Sequence, residues 1–419
     1  MINFERFTLD NGLKVIVHKD ESTPIVAVNI LYNVGARDEN PDKTGFAHLF
    51  EHLMFGGSKN IPVFDQPLEN VGGENNAFTN NDITNYYLSI PKQNLETAFW
   101  LESDRMNELA FSEKSLEVQR NVVVEEFKQR YLNQPYGDVW LHLRPLAYKV
   151  HPYMWSTIGK EISHIENANM LDVKDFFYKY YRPNNAIMVV AGNVELSEIQ
   201  NLCNKWFSDI PAGEVPERKI AKEPQQTEER ILTIERDVPY DAIYKTYHIC
   251  KRTDNEYYTF DLISDILSNG KSSRFNQELV KNKKLFSEVS AYLTGDIDNG
   301  LFVISGKLHH GISMEAAENA IDAEIEKLKT IDIRDEELQK LKNKIESVNV
   351  FSQMKVVDKA MNLAYFELLG NADMINDEVE KYNAVSPKDV KIMANKVFCK
   401  ENCSKLYYFS KKEALQTPN

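Results

Sequence analysis

Within the stretch GFAHLFEHLMFGG, Gly45 to Gly57, His48, Glu51 and His52 stand at positions i, i+3 and i+4. On a helix those three side chains leave from one face. Their neighbours Phe46, Ala47, Leu49, Phe50, Leu53, Met54 and Phe55 make the same helix apolar nearly all round, the mark of a buried element. Burying a carboxylate and two imidazoles costs several kcal/mol unless something satisfies them. A divalent metal does so directly, and neutral imidazole nitrogens favour Zn2+ among the common ions. A catalytic zinc keeps a position for water, brings that water's pKa toward about 7 and polarises a carbonyl. With Glu51 beside the metal and not bound to it, its carboxylate accepts the water's proton during attack on a peptide bond and passes it to the leaving amine. The competing reading, two core histidines bonded to backbone carbonyls, requires the spacing, the apolar setting and the Gly56-Gly57 exit to coincide. His18, His142, His164, His248, His309 and His310 lack such a setting and read as surface or packing residues.

The elements around this helix follow from periodicity. FERFTL and LKVIVH flank Asp10-Asn11-Gly12 as a hairpin, and IVAVNILYNVG reads as a more buried strand leading into the helix. ITNYYLSI and NAIMVVAG are further strands, with helical patterns at Lys92 to Leu109, Ser112 to Leu132, Asp138 to Lys149, Val173 to Tyr181 and Leu196 to Phe207. A stretch rich in Pro, Lys and Glu then reads as a linker at 213–229. After it the order repeats: RILTIERDV and AIYKTYHIC as strands, Tyr257 to Leu267 as a helix, LFVISGKL as a strand, helices over most of Met314 to Val397, and KLYYFS as a last strand. DLISDILSNG, Asp261 to Gly270, matches HLFEHLMFGG in apolar spacing and closing Gly. The chain thus reads as an α+β fold duplicated into halves at 1–212 and 230–419, of which only the first carries the metal-capable residues.

The 419 residues exceed one ordinary core, and 49 basic against 63 acidic side chains leave a net charge of −14. That balance argues against nucleic acid as a partner, because phosphate binding needs a basic surface. It suits basic peptides. No apolar run is long enough for a membrane span and the start lacks a signal-peptide pattern, so the expected compartment is the cytoplasm, or the periplasm if Met1 is not the natural start. Cys203, Cys250, Cys399 and Cys403 are few and scattered, which argues against a disulfide framework, and Cys399 and Cys403 read as small buried hydrophobes.

His48-Leu49-Phe50-Glu51-His52 is the H-x-x-E-H signature of inverzincins. Over essentially its whole length the chain resembles the insulinase or pitrilysin family of zinc peptidases, in its mitochondrial-processing-peptidase-like branch. The resemblance implies two clam-like halves, each a mixed or antiparallel sheet covered by helices. It also implies a third zinc ligand on a helix reading R-x-V-V-x-x-E. In RNVVVEEFKQR that position is Glu126, with Glu125 as the alternative; Val122, Val123 and Phe127 are then expected to pack. Where the family has a supporting glutamate on the same helix face, this chain has Gln119, which leaves the site one negative charge short. GGENNAFTNNDITNYY matches the family segment that forms a strand edge beside the zinc, with Asn76, Ala77 and Thr79 as substrate-binding positions for a peptide added as an extra strand. HPYMWSTIG, His151 to Gly159, resembles an architectural family loop.

In the second half the family places an arginine and a tyrosine that stabilise the substrate's carbonyl oxygen. The matching ELVKNKKLFSEV has Val280 and Ser287 there, with Tyr292 and Lys281, Lys283 and Lys284 nearby. The resemblance therefore implies a zinc endopeptidase subunit whose missing groups come from a homologous zinc-free partner in a heterodimer, a homodimer being possible. The alternative is a non-catalytic assembly or scaffold subunit that keeps the fold.

Overall fold

The computed structural model describes residues 1–214 and 217–411. Residues 215 and 216 of the expected linker, and 412–419 of the expected second half, lie outside the described residues. In chain order the elements are β1 (Glu5–Thr8), β2 (Lys14–Lys19), β3 (Ile25–Tyr32), α1 (Phe46–Leu53), α2 (Asp65–Asn70), β4 (Glu74–Thr79), β5 (Thr84–Pro91), α3 (Leu95–Asn107), α4 (Glu113–Phe127), α5 (Val139–Ala147), α6 (Ile162–Glu166), α7 (Met170–Tyr180), β6 (Ala186–Gly192) and α8 (Leu196–Trp206). They continue with β7 (Arg230–Arg236), β8 (Ala242–His248), α9 (Glu256–Ser268), β9 (Phe286–Leu293), β10 (Leu301–Leu308), α10 (Met314–Thr330), α11 (Asp335–Ser352), α12 (Val356–Leu368), α13 (Glu378–Ala384), α14 (Pro387–Val397) and β11 (Cys403–Ser410).

Two units result. The first comprises Met1–Arg130, His151–Ala221 and Val348–Glu378; the second comprises Tyr131–Val150, Lys222–Ser347 and the chain from Val379 onward. The first holds a sheet of order β1-β2-β6-β3-β5-β4, the second a sheet of order β7-β11-β8-β10-β9. In each sheet one pair is parallel, β2 with β6 and β7 with β11, and the rest are antiparallel. Without β1, the first order maps onto the second strand for strand, and α1 and α9 follow the equivalent strands β3 and β8. This is the repeat seen in the sequence: an α+β unit built twice.

Relative to a division at 213–229, each unit takes in one segment from across it. α12 packs on β3 and β6 of the first sheet, burying Ala360, Leu363 and Ala364, and Lys359 on it pairs with Asp20 at 2.5 Å. α5 packs on the second sheet, where Val139 and Leu143 join Ala242, Leu406 and Tyr408 in one apolar cluster. Asp138, just ahead of α5, accepts from Arg236 Nε and Tyr408 Oη, both at 2.8 Å. Covering both faces explains why β3 and β6 read as near-continuous apolar runs. β4 and β7, at sheet edges, alternate in burial along the strand.

Three local expectations change. Val122 is 44% exposed, because three successive valines on a helix cannot share one face; Val123, Val124 and Phe127 are the buried ones. The helix expected to Leu132 is α-helical only to Phe127 and continues in π geometry over Lys128–Leu132. Cys399 is half-buried, unlike the buried Cys403, and all four cysteines are free. Among the described residues no helix is long and apolar enough to cross a membrane.

Candidate metal centre

α1 begins at Gly45, which has φ +89° and offers no side-chain cap. A Cβ there would stand 2.8 Å from the Ile158 carbonyl oxygen, so glycine serves both the left-handed turn and the close approach. The helix buries Phe46, Ala47, Leu49, Phe50 and Leu53. Phe50 stacks on Tyr181 at 5.1 Å between centroids, and Tyr86 of β5 donates from its hydroxyl to the Phe50 carbonyl at 3.3 Å. Tyr86 is itself pinned by the Arg105 guanidinium, 4.5 Å above its ring, and Arg105 makes two hydrogen bonds to the equally buried Glu102. A rigid floor of aromatic and ion-paired groups thus sets the height of α1 over the sheet.

On the other side of the helix His48 and His52 stand with ring centroids 4.9 Å apart, edge to face. From α4, Glu126 brings its Oε2 to 3.7 Å from His48 Nε2 and 3.5 Å from His52 Nε2. The three ligand atoms lie within 4.8 Å of one another, the one such His, Cys, Asp or Glu group among the described residues. Donors each about 2.0–2.1 Å from a tetrahedral ion stand about 3.4 Å from one another, so this two-nitrogen, one-oxygen set fits zinc with little movement. Burial pushes the His48 imidazole down to about 4, which leaves it neutral, the state a ligand needs. The hydrogen bond with His52 holds the Glu126 carboxyl below the usual range against the opposing effect of burial. Its other oxygen, Oε1, is 2.8 Å from the exposed Arg130 guanidinium. Glu125 points elsewhere: its side chain is 60% exposed and pairs with Lys128 at 2.8 Å.

Glu51 is half-buried on the same face of α1, and burial pushes its carboxyl up while the Thr79 hydroxyl and His52 pull it down. A carboxyl raised in this way is a stronger base when ionised, as proton abstraction from water requires. Thr79 ends β4, the edge strand of the first sheet, and so stands at the junction of strand edge and α1. Asn76 is exposed and Ala77 half-buried on the same strand, and the Ala77 N–H donates to the Asn76 carboxamide oxygen at 2.8 Å. Gln119 lies half-buried on α4 two turns before Glu126, on nearly the same face.

Val280 and Ser287 belong to the second unit. Val280 packs against that unit's core from the π-helical turn Asn276–Asn282, and Ser287 is exposed on β9, donating to the Lys307 carbonyl at 3.2 Å. Tyr292 lies on the same strand, where its side chain is exposed.

Sequence reasoning gave no role to Glu39, Trp155 or Arg130. Glu39 is buried, and its carboxylate accepts from Gly45 N at 2.9 Å, Ala47 N at 2.8 Å and Trp155 Nε1 at 3.1 Å. In the sequence Glu39 is one of several charged residues in GARDENPDKTG, so nothing local singled it out.

A family model described as insulinase (peptidase family M16) matches residues 14–158, and one described as the peptidase M16 inactive domain matches 167–345. The chain is 34% identical to the zinc protease PqqE of Helicobacter pylori over 346 residues, 81% of this chain and 77% of that one. It is 28% identical to the mitochondrial-processing peptidase subunit beta of Saccharomyces cerevisiae over 211 residues, 50% of this chain and 45% of that one. The crystal structure of a protease from Helicobacter pylori superimposes with a TM-score of 0.92 at 30% identity, covering 97% of this chain and 100% of that one.

Proposed function

The chain belongs to the insulinase family of peptidases, M16, and from that premise we propose that it is a zinc-dependent endopeptidase subunit. The observation that carries this reading is the convergence of His48, His52 and Glu126 within 4.8 Å, with the raised carboxyl of Glu51 on the same helix face. His48, His52 and Glu126 would hold the ion. When bound, zinc supplies Lewis acidity, polarising a peptide carbonyl and acidifying water. Glu51 takes the proton from water and delivers it to the leaving amine. The open edge of β4 binds the peptide backbone as an added strand, with Asn76 yielding the Ala77 N–H to the incoming carbonyl. The groups that steady the carbonyl oxygen are supplied by a homologous zinc-free partner, since Val280 and Ser287 offer neither a charge nor a phenol at the family positions.

The test measures zinc in protein purified without chelator, and hydrolysis of an unstructured basic peptide by the chain alone and after mixing with a zinc-free homologue carrying the Arg and Tyr. One zinc per chain is expected, with hydrolysis that falls by about 10²- to 10⁴-fold in Glu51→Gln. Undiminished hydrolysis in that variant, or a zinc-free protein, rejects the proposal. A zinc-bearing chain that cleaves nothing in any pairing supports instead a non-catalytic scaffold subunit, the reading favoured by Gln119 and the absent Arg and Tyr.

A further inference from the structure

The first turn of a helix leaves N–H groups without intrahelical partners, and they are ordinarily met by a Ser, Thr, Asp or Asn at the cap. α1 has Gly45 there and no side-chain cap. Its needs are met from a distance: Glu39 Oε2 accepts from Gly45 N and Oε1 from Ala47 N, and Trp155 Nε1 donates to the same Oε2 and to the Ala36 carbonyl at 2.9 Å. Burial pushes the Glu39 carboxyl up to about 8, and the three N–H donors oppose that rise. All three partners are donors, so a proton on Glu39 would find no acceptor among them, and the positive end of the helix dipole favours negative charge there.

Glu39 closes a short helical turn, Ala36–Asp38, and that turn is fixed on its other side. Arg37 Nη1 pairs with Asp82 Oδ1 at 2.7 Å, Tyr153 donates to that oxygen at 2.5 Å, and the Ala36 and Arg37 amides donate to the Asn80 and Asn81 carbonyls. Asn80 directly follows β4. One short turn therefore grips both the end of the edge strand and the start of the helix that bears His48, Glu51 and His52.

We infer that Glu39 is a positioning residue for the metal centre: its carboxylate, steadied by Trp155, anchors the N-terminus of α1 and so fixes the aim of His48 and His52 toward Glu126. This rests on the zinc reading above and adds to it a residue that touches neither metal nor substrate. Ala47 immediately precedes His48, so a lost anchor at its amide lets the first turn fray at the ligand itself. Glu39→Gln is the telling variant, because its NH2 must face one of the helix donors. Trp155→Phe removes one donor to the carboxylate and leaves the helix contacts in place.

The experiment uses the full chain. Zinc affinity is read by competition with a chromophoric chelator, coordination geometry by the visible spectrum of Co2+ loaded in place of zinc, and stability by thermal unfolding of the metal-free protein. Glu39→Gln should weaken zinc by about tenfold, the low end for groups that orient ligands from behind, and shift the Co2+ spectrum. Trp155→Phe should move both in the same direction by less. Leu363→Ala, which destabilises the same unit from α12, should lower the unfolding temperature and leave both metal readouts unchanged. If the Glu39 and Trp155 variants lose stability yet keep wild-type zinc affinity and Co2+ spectrum, Glu39 is only structural and the inference is overturned. If the wild type binds neither ion, the zinc reading itself has failed, a different result from the first.

Discussion

Glu126 Oε2 lies 3.5 Å from His52 Nε2, although α1 and α4 are separated in sequence by two helices and two strands. The second oxygen of the same carboxylate is engaged by Arg130 at 2.8 Å, so Glu126 presents one free oxygen to an ion. Its neighbour Glu125 faces solvent beside Lys128.

That contrast separates the two glutamates. Glu126→Ala should lower zinc affinity by more than about tenfold, or 1.4 kcal/mol, whereas Glu125→Ala should leave it unchanged. Chelator competition on the two purified variants checks this.

The edge of β4 makes a second prediction. Ala77→Pro removes the N–H that Asn76 now holds, at an edge position where proline is tolerated. A backbone hydrogen bond contributes about 0.5–1.5 kcal/mol, so KM for an extended peptide should rise by about 2- to 13-fold with zinc content unchanged.

α12 covers β3 and β6 with Leu363 fully buried. Leu363→Ala should destabilise the first unit by about 2–5 kcal/mol, read by denaturant unfolding, although the residue lies far along the chain from the sheet it covers.

In the second unit, burial would raise Asp138, but hydrogen bonds from His142, Tyr408 and Arg236 together hold its carboxyl down at about 2. A carboxyl lower in the folded than in the unfolded state stabilises the fold above its unfolded value and loses that effect as pH falls toward its folded value. Wild type should therefore exceed Asp138→Asn in stability by about 1–2 kcal/mol at pH 7, a value reduced for partial solvent screening. The gap should close between about pH 4 and pH 2, measured by urea unfolding across that range.

How much of this was legible in the sequence depends on the range of the interaction. His48, Glu51 and His52 were readable from the residues because helical period alone puts them on one face. Glu126 was not, since nothing local ties α4 to α1; it came from the family resemblance. The strand order of each sheet follows the repeat, but the placements of α5 and α12 do not, because an apolar helix face announces burial without naming the sheet it meets. Glu39 stayed hidden because it caps α1 across a loop, outside the spacing by which a cap is recognised. Val122 was misjudged for a simpler reason: hydrophobicity was counted before geometry.

The placement of α12 also bears on synthesis. A chain leaving the ribosome has presented both histidines and Glu126 long before residue 356 appears. Until α12 emerges, β3 and β6 have one apolar face open to water, and the sheet that carries α1 has no finished support. The nascent first unit thus waits on the far half of its own message, a delay during which its exposed sheet face is a natural client for a chaperone.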